Sequence, residues 1–165
     1  WVLAEWIVHR KPSILGAASG LVAGLVAITP ASGFVNASAA VLIGLVGGVA
    51  CFLGVRIKDH FNFDDSLDAF GIHGIGGMVG ALLTGLFATK MINPGGADGL
   101  FYNISEGTVL FFEQAFAVVF TIVFAAVGTW LIAMVIDKTI GLRVEPDTEM
   151  QGLDGELHGE VAYKN

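Results

Sequence analysis

Long apolar runs alternate with short polar or turn-forming stretches along most of the chain. The runs cover residues 14–28, 37–55, about 68–88 and 109–136, and they lack the alternating pattern of β-barrel strands. With its flanks, each run is long enough to cross the roughly 30 Å of bilayer hydrocarbon as a helix. The pattern predicts spans at about 12–29, 37–56, 68–88 and 108–136, within a transmembrane region of residues 1–136.

Polar and turn-forming residues separate these spans. Residues 29–33 read as a turn, residues 56–63 as a charged aromatic loop and residues 89–106 as an irregular loop. Residues 1–8 are apolar but too short to span, so we interpret them as the end of a truncated helix. Residues 137–165 carry no membrane character and form a predicted tail.

The composition agrees with a membrane protein. Of the 165 residues, 55% are hydrophobic and 14% are charged, whereas soluble domains carry roughly 25% charged residues. Many of the 23 glycines lie inside the apolar runs, where small residues let membrane helices approach closely. Gly16, Gly20 and Gly24 recur at every fourth position, which predicts one such contact stripe. The single cysteine, Cys51, excludes a disulfide within the chain.

The charges predict an orientation. The formal net charge is −7, and residues 137–165 hold seven acids against three Lys or Arg, so the acidity is concentrated in the tail and does not favour nucleic-acid binding. One side of the predicted spans carries Arg10, Lys11, Arg56, Lys58, Lys138 and Arg143, whereas the alternate loops carry only Lys90. The positive-inside rule therefore predicts a cytoplasmic tail.

His73 is the candidate functional residue, because it is an ionisable side chain deep inside an apolar run. Such a residue is costly in hydrocarbon unless it faces protein or a water-filled path. Either His73 is hydrogen-bonded to a neighbouring helix, or it lines a pathway. The remaining histidines (His9, His60 and His158) fall in predicted loops or in the tail, so a metal or haem site, which needs several ligands, is disfavoured.

Apart from Phe70, small residues surround His73 if residues 68–88 form a regular α-helix. Its face would then carry Ala69, Phe70, Gly76, Gly77, Gly80 and Thr84. Such a face either packs against a helix or walls a narrow lumen. Asp68 stands at the start of this helix, where a carboxylate caps first-turn N–H groups, and we predict a structural role for it. Asp64 and Asp65 are expected to be a solvated acidic approach to the helix.

Several stretches of the sequence carry a family resemblance. Asp68-Ala-Phe-Gly-Ile-His73-Gly-Ile-Gly-Gly resembles the D-x-F-G-x-H-G-x-x-G segment of the Amt/Mep/Rh ammonium transporters. Residues 11–17 and 24–31 look like the eighth membrane helix of that family. Residues 140–144, 152–154 and 158–160 look like the tail of its bacterial and archaeal Amt branch. The motifs follow in order over essentially the whole chain, which makes the resemblance specific.

The resemblance implies an all-α integral membrane protein. Against the eleven-helix Amt fold, the chain would supply the end of helix 7, helices 8–11 and a cytoplasmic tail. The family's pore lies between two inverted repeats and is lined by two histidines, of which His73 resembles the second. The partner histidine, the extracellular recruitment site and the phenylalanine gate would belong to a missing part, so we interpret the chain as a fragment of a transporter.

The implied function is transport of ammonium or ammonia across the cell membrane, with no enzymatic activity, cofactor or metal. His73 would line the pore, Ala69 and Ile28 would lie at or near its wall, and Asp68 would be a structural residue at its inner end. The implied partners are the lipid bilayer, two further copies in a homotrimer, and a PII signalling protein at residues 140–165 and 56–63. The alternative functions are an ammonium-sensing and docking module that binds PII, and a membrane enzyme or haem protein.

Overall fold

The computed structural model describes residues 1–61 and 64–161, and this part of the chain is helical without strands. The helices are α1 (Val2–His9), α2 (Ile14–Ile28), α3 (Ala37–Phe61), α4 (Ile75–Phe87), α5 (Ile104–Thr139) and α6 (Pro146–Gln151). A 3₁₀ turn, Thr29–Ala31, extends α2, and π-helical turns precede α4 at Phe70–Gly74 and follow α6 at Asp154–His158. The all-α fold class is confirmed.

Four helical segments of the described chain are long and apolar enough to cross a membrane. They are Ile14–Ala31, Ala37–Lys58, Phe70–Phe87 and Ile104–Thr139. The chain divides into two compact units, residues 1–120 and residues 121–165. Residues 62–63 of the predicted 56–63 loop and residues 162–165 of the predicted tail lie outside the described residues.

In the first unit, α2, α3 and α4 pack directly on one another through small residues. Ala23, Cys51 and Ile72 form one buried apolar cluster, and Ala27, Ala31 and Ile43 form a second. A Cβ atom added at Gly54 of α3 would lie only 3.0 Å from the carbonyl oxygen of Gly71. Glycine at such positions is what lets the backbones approach this closely.

The predicted stripe of Gly16, Gly20 and Gly24 is divided in the structure. Gly16 lies against the side chain of Glu5 in α1 and Gly20 against that of Trp1 just before α1, whereas a Cβ at Gly24 would meet nothing within 4 Å. The spacing of four residues therefore indicates helix packing correctly at two positions, Gly16 and Gly20. The third position is open within the described chain.

The prediction of a loop from residue 56 onward is wrong for residues 56–61, which continue α3. The guanidinium of Arg56 lies 5.8 Å from the centre of the Phe52 ring one turn earlier, a favourable cation–π distance. Lys58 and His60 fall in the last helical turn, where positive charge complements the helix dipole. Hydropathy predicts the apolar part of α3, but it gives no signal for the polar residues 56–61 that continue the helix.

Candidate functional site

His73 lies in the π-helical turn Phe70–Gly74, hereafter the π-turn, which leads into α4. The Ile75 N–H group donates to the carbonyl of Phe70, five residues earlier, as a π-helix requires. The side chains of His73 and Ala69 are exposed, and a Cβ added at Gly77 would meet nothing within 4 Å. The structure thus presents His73 on an open face of the segment, with Ala69 and Gly77 on the same side.

The predicted face of His73 divides in the structure: Ala69 and Gly77 lie on the open side, whereas Gly76, Gly80 and Thr84 are buried. A Cβ at Gly76 would lie 3.0 Å from the Cys51 sulfur, and Gly80 packs against the backbone of α2. Thr84 is buried and its hydroxyl donates to the Gly80 carbonyl at 2.8 Å. Gly76 and Gly80 thus pack on the neighbouring helices α3 and α2, which is one of the two alternatives expected for a face of small residues.

α3 supports the π-turn from the buried side. Ile72 is buried, and its carbonyl oxygen accepts the thiol hydrogen of Cys51 at a Sγ–O distance of 3.4 Å. A Cβ at Gly71 would lie 2.9 Å from the Cα atom of Val55, so a larger residue there would push the turn away from α3. The two positions before His73 are therefore tightly packed, whereas His73 itself points to the open side.

The prediction that Asp68 caps this helix is wrong, because Asp65 is the capping residue. The Asp65 carboxylate accepts the N–H groups of Ala69 at 2.8 Å and Phe70 at 3.0 Å. Asp68 instead has a left-handed backbone with φ of 57°, which Asp tolerates better than most residues. Its carboxylate forms an ion pair with the ammonium group of Lys58. Asp65 is thus part of the helix start and not only a solvated acid.

Ile28 ends α2 and is half-buried. It packs against the second apolar cluster, in the company of Leu83 and Phe87. Its place at the wall of a path beside His73 stays a prediction.

The other histidines are dispersed. His9 ends α1, His60 lies in the last turn of α3 and His158 ends the π-helical turn of the tail. Among the residues that the structure describes, no group of three or more His, Cys, Asp or Glu side chains is placed to hold a metal ion.

Residues 1–163 match the sequence profile of the Ammonium Transporter Family. This chain belongs to the ammonium transporter family. The family resemblance predicted from the Asp68–Gly77 motif is therefore confirmed.

Relatives and solved structures agree with this membership. The chain is 49% identical to an ammonium transporter of Bacillus subtilis, over 100% of the chain and 40% of that protein. It is 42% identical to the ammonium transporter Amt1 of Archaeoglobus fulgidus, over 99% of the chain and 40% of that protein. The chain thus spans about two fifths of the length of these relatives.

Two solved structures show the same fold. A crystal structure of Saccharomyces cerevisiae Mep2 matches with a TM-score of 0.74 and 32% identity, over 89% of this chain and 34% of that one. A structure described as a sensor Amt protein matches with a TM-score of 0.79 and 27% identity, over 92% of this chain and 36% of that one.

Three residues that support the site of this ammonium transporter family member are not predicted by the sequence patterns. In the sequence, Lys58 contributes only to the predicted orientation, Asp65 only to an acidic approach, and Cys51 only to the exclusion of a disulfide. The signal for Asp65 was present, since an Asp shortly before a helix is a capping signature. Lys58 and Cys51 act across helices, and a single sequence carries no pattern for such contacts.

Proposed function

We propose that the protein carrying this chain transports ammonium or ammonia across the membrane, with His73 lining the path. The observation that carries the proposal is the exposed imidazole of His73 within a helical segment apolar enough to cross a membrane. Ala69 and Gly77 leave space beside it, and membership of the ammonium transporter family supports the substrate.

The chemistry of the imidazole suits this substrate. A neutral imidazole offers one N–H donor and one nitrogen acceptor, so it can hydrogen-bond ammonia. Moving a desolvated ammonium ion through hydrocarbon is prohibitive, whereas neutral ammonia passes far more easily. A potassium ion needs oxygen ligands in place of its hydration shell, and the small side chain of Ala69 supplies none. In this proposal Ala69 and Ile28 form the wall, and Asp68 is structural through its ion pair with Lys58.

The test is flux in vesicles that contain the natural protein carrying this chain. An ammonium gradient is imposed, and a pH-sensitive dye inside the vesicles reports proton uptake by the arriving ammonia. We expect His73→Asp to change the rate of flux or the exclusion of potassium by about tenfold or more, because the new carboxylate attracts cations. His60→Gln is the matched control, since His60 is exposed at the end of α3. Unchanged rate and selectivity in His73→Asp would refute the pore role.

A second candidate function is ammonium sensing, in which the tail docks a PII signalling protein. The similarity to a sensor Amt protein favours it. The tail also has local structure, because the guanidinium of Arg143 donates to both carboxylate oxygens of Glu149, at 3.1 Å and 2.9 Å. The test is to delete residues 145–165 and to measure binding of PII to the membranes. Undiminished binding would remove this candidate.

The remaining proposals concern the setting of the chain. The distribution of Lys and Arg supports a tail on the cytoplasmic side of the cell membrane, and family membership supports a homotrimer. The variant Asp147→Cys, in the exposed α6, should react with an impermeant thiol reagent only from the cytoplasmic side. The mass of the detergent-solubilised protein tests the trimer.

A further inference from the structure

We propose that Lys58 is a positioning residue for His73. It does not touch the transported molecule, but it fixes the segment just before the π-turn and so directs the imidazole to the open face. The inference rests on the proposed transport function. It adds a residue and a physical cause that family membership does not supply.

The ammonium group of Lys58 holds two points of the 65–68 segment at once. It pairs with the carboxylate of Asp68 and donates to the main-chain carbonyl of Asp65 at 2.7 Å. The Lys58 and Asp68 side chains are only 19% and 28% exposed, so solvent weakens their attraction less than at an open surface. The side chain of Asp65 meanwhile caps Ala69 and Phe70. We call Lys58, Asp65 and Asp68 the clamp.

The clamp lies directly before the π-turn. Asp68 carries the left-handed φ of 57°, and its carbonyl accepts the N–H of Ile72 at 2.9 Å. The ion pair with Lys58 therefore holds the side chain of Asp68, where the left-handed backbone changes the direction of the chain. Because that change comes five residues before His73, a different conformation at Asp68 would give the following turn a different register.

Residues on one face of α3 contact successive parts of this segment. Cys51, Val55 and Lys58 are four and three residues apart, so they project from the same side of the helix. They contact, in order, the carbonyl of Ile72, the backbone of Gly71 and the clamp. Lys58 supplies the only charged contact in this described row, and the other two are packing and a weak thiol hydrogen bond.

A purely structural role would give a different result from a positioning role. If Lys58 only stabilised the fold, its loss would lower the amount of folded protein, while each remaining molecule would transport normally. If Lys58 positions His73, folded protein would remain but its maximal rate would fall.

The experiment combines hydrogen exchange with transport, on the natural protein that carries this chain. In Lys58→Met, we expect the amides of residues 69–75 to exchange about tenfold faster, while those of α2 stay unchanged. We also expect the maximal rate per folded molecule to fall about tenfold, by analogy with the loss of a residue that orients a metal-binding histidine. Lys58→Arg keeps the charge and should restore the rate to within about threefold.

Lys90→Met is the matched control. Lys90 also pairs with a carboxylate, that of Glu106, near the other end of α4. The same substitution there should leave the exchange of residues 69–75 and the maximal rate unchanged. If Lys58→Met does not fold, Asp68→Asn tests the same ion pair with the shape of the side chain preserved.

Three outcomes would overturn the inference. The first is unchanged exchange at residues 69–75 in Lys58→Met, and the second is faster exchange with a normal maximal rate. The third is a Lys58→Arg variant as defective as Lys58→Met. Failure of the proposed function is recognised separately, because His73→Asp would then transport normally whatever the behaviour of the Lys58 variants.

Discussion

Replacing Gly80 by alanine should separate α2 from α4 and destabilise the protein, whereas the same change at Gly77 should not. A Cβ atom at Gly80 would lie 2.9 Å from the carbonyl carbon of Ala27 and 3.2 Å from its Cα atom, and closer still to the carbonyl oxygen. These atoms belong to the backbone of α2, so no side-chain rotation relieves the overlap. At Gly77 the added methyl group would meet nothing within 4 Å.

The magnitude follows from the missing space. Ordinary contact begins near 3.4 Å, so the helices must move apart by at least about 0.5 Å at the Ala27 carbonyl carbon. A gap of that size removes about a quarter of the dispersion energy between the atoms that it separates. These atoms include those of the buried cluster of Ala27, Ala31 and Ile43. Overpacking costs about 1–3 kcal/mol, and the rigid backbone places Gly80→Ala near the upper limit. Better helix propensity offsets about 1 kcal/mol in both variants.

The measurement is reversible unfolding of the natural protein in mixed micelles of a mild and a denaturing detergent. Gly77→Ala should be as stable as the unmodified protein or more stable by about 1 kcal/mol. Gly80→Ala should be less stable than Gly77→Ala by about 2–3 kcal/mol. Because both variants gain the same helix propensity, their difference isolates the overlap with Ala27. Equal stability of the two variants would refute the close approach of α2 and α4.

Two further predictions concern hydrogen bonds at helix ends. Asp65→Ala removes the acceptor of two N–H groups and should cost about 1 kcal/mol of unfolding free energy in the same micelles. Ser66→Ala, at the exposed neighbouring position, should cost less. Arg143 lowers the pKa of Glu149 below its ordinary 4.5, so their contact stabilises α6 above about pH 4.5 and is lost as the pH falls through the lower native pKa. Exchange of the α6 amides, corrected for its intrinsic pH dependence, should therefore accelerate in acid, and Glu149→Gln should abolish that acceleration; an unaltered profile in this variant would contradict the assignment.

The sequence predicted the helices and the family better than it predicted the helix ends. Hydropathy located the apolar part of each span, because burial in hydrocarbon requires it. Helix ends depend on polar contacts that hydropathy does not measure. α5 begins at Ile104, ahead of the predicted 108, because the side chain of Asn103 accepts the N–H groups of Ser105 and Glu106, at 3.1 Å and 3.2 Å. An asparagine just before an apolar helical run is itself a capping signature.

The register around His73 could not be predicted from the sequence. Assigning a face to each small residue assumed 3.6 residues per turn throughout, and the π-turn breaks that assumption. The π-turn exists beside a close backbone contact between Gly54 and Gly71 and a hydrogen bond from Cys51 to Ile72. Both are contacts between helices. The glycines in this segment show that a neighbouring helix can approach closely, but they do not show on which side of the segment it lies.

The open side of the segment carries the last prediction, in which Gly77→Ala separates transport from stability. An exposed imidazole cannot face lipid at low cost, so the surface that completes this side must offer water or a hydrogen-bonding group. A methyl group at Gly77 would project into that space, one turn beyond His73. We expect the maximal flux of ammonia to fall by about threefold or more, although the same variant unfolds no more easily than the unmodified protein. Gly24→Ala is the control, since Gly24 is also open but lies in α2. Normal flux through Gly77→Ala would show that the space beside His73 is not part of the path.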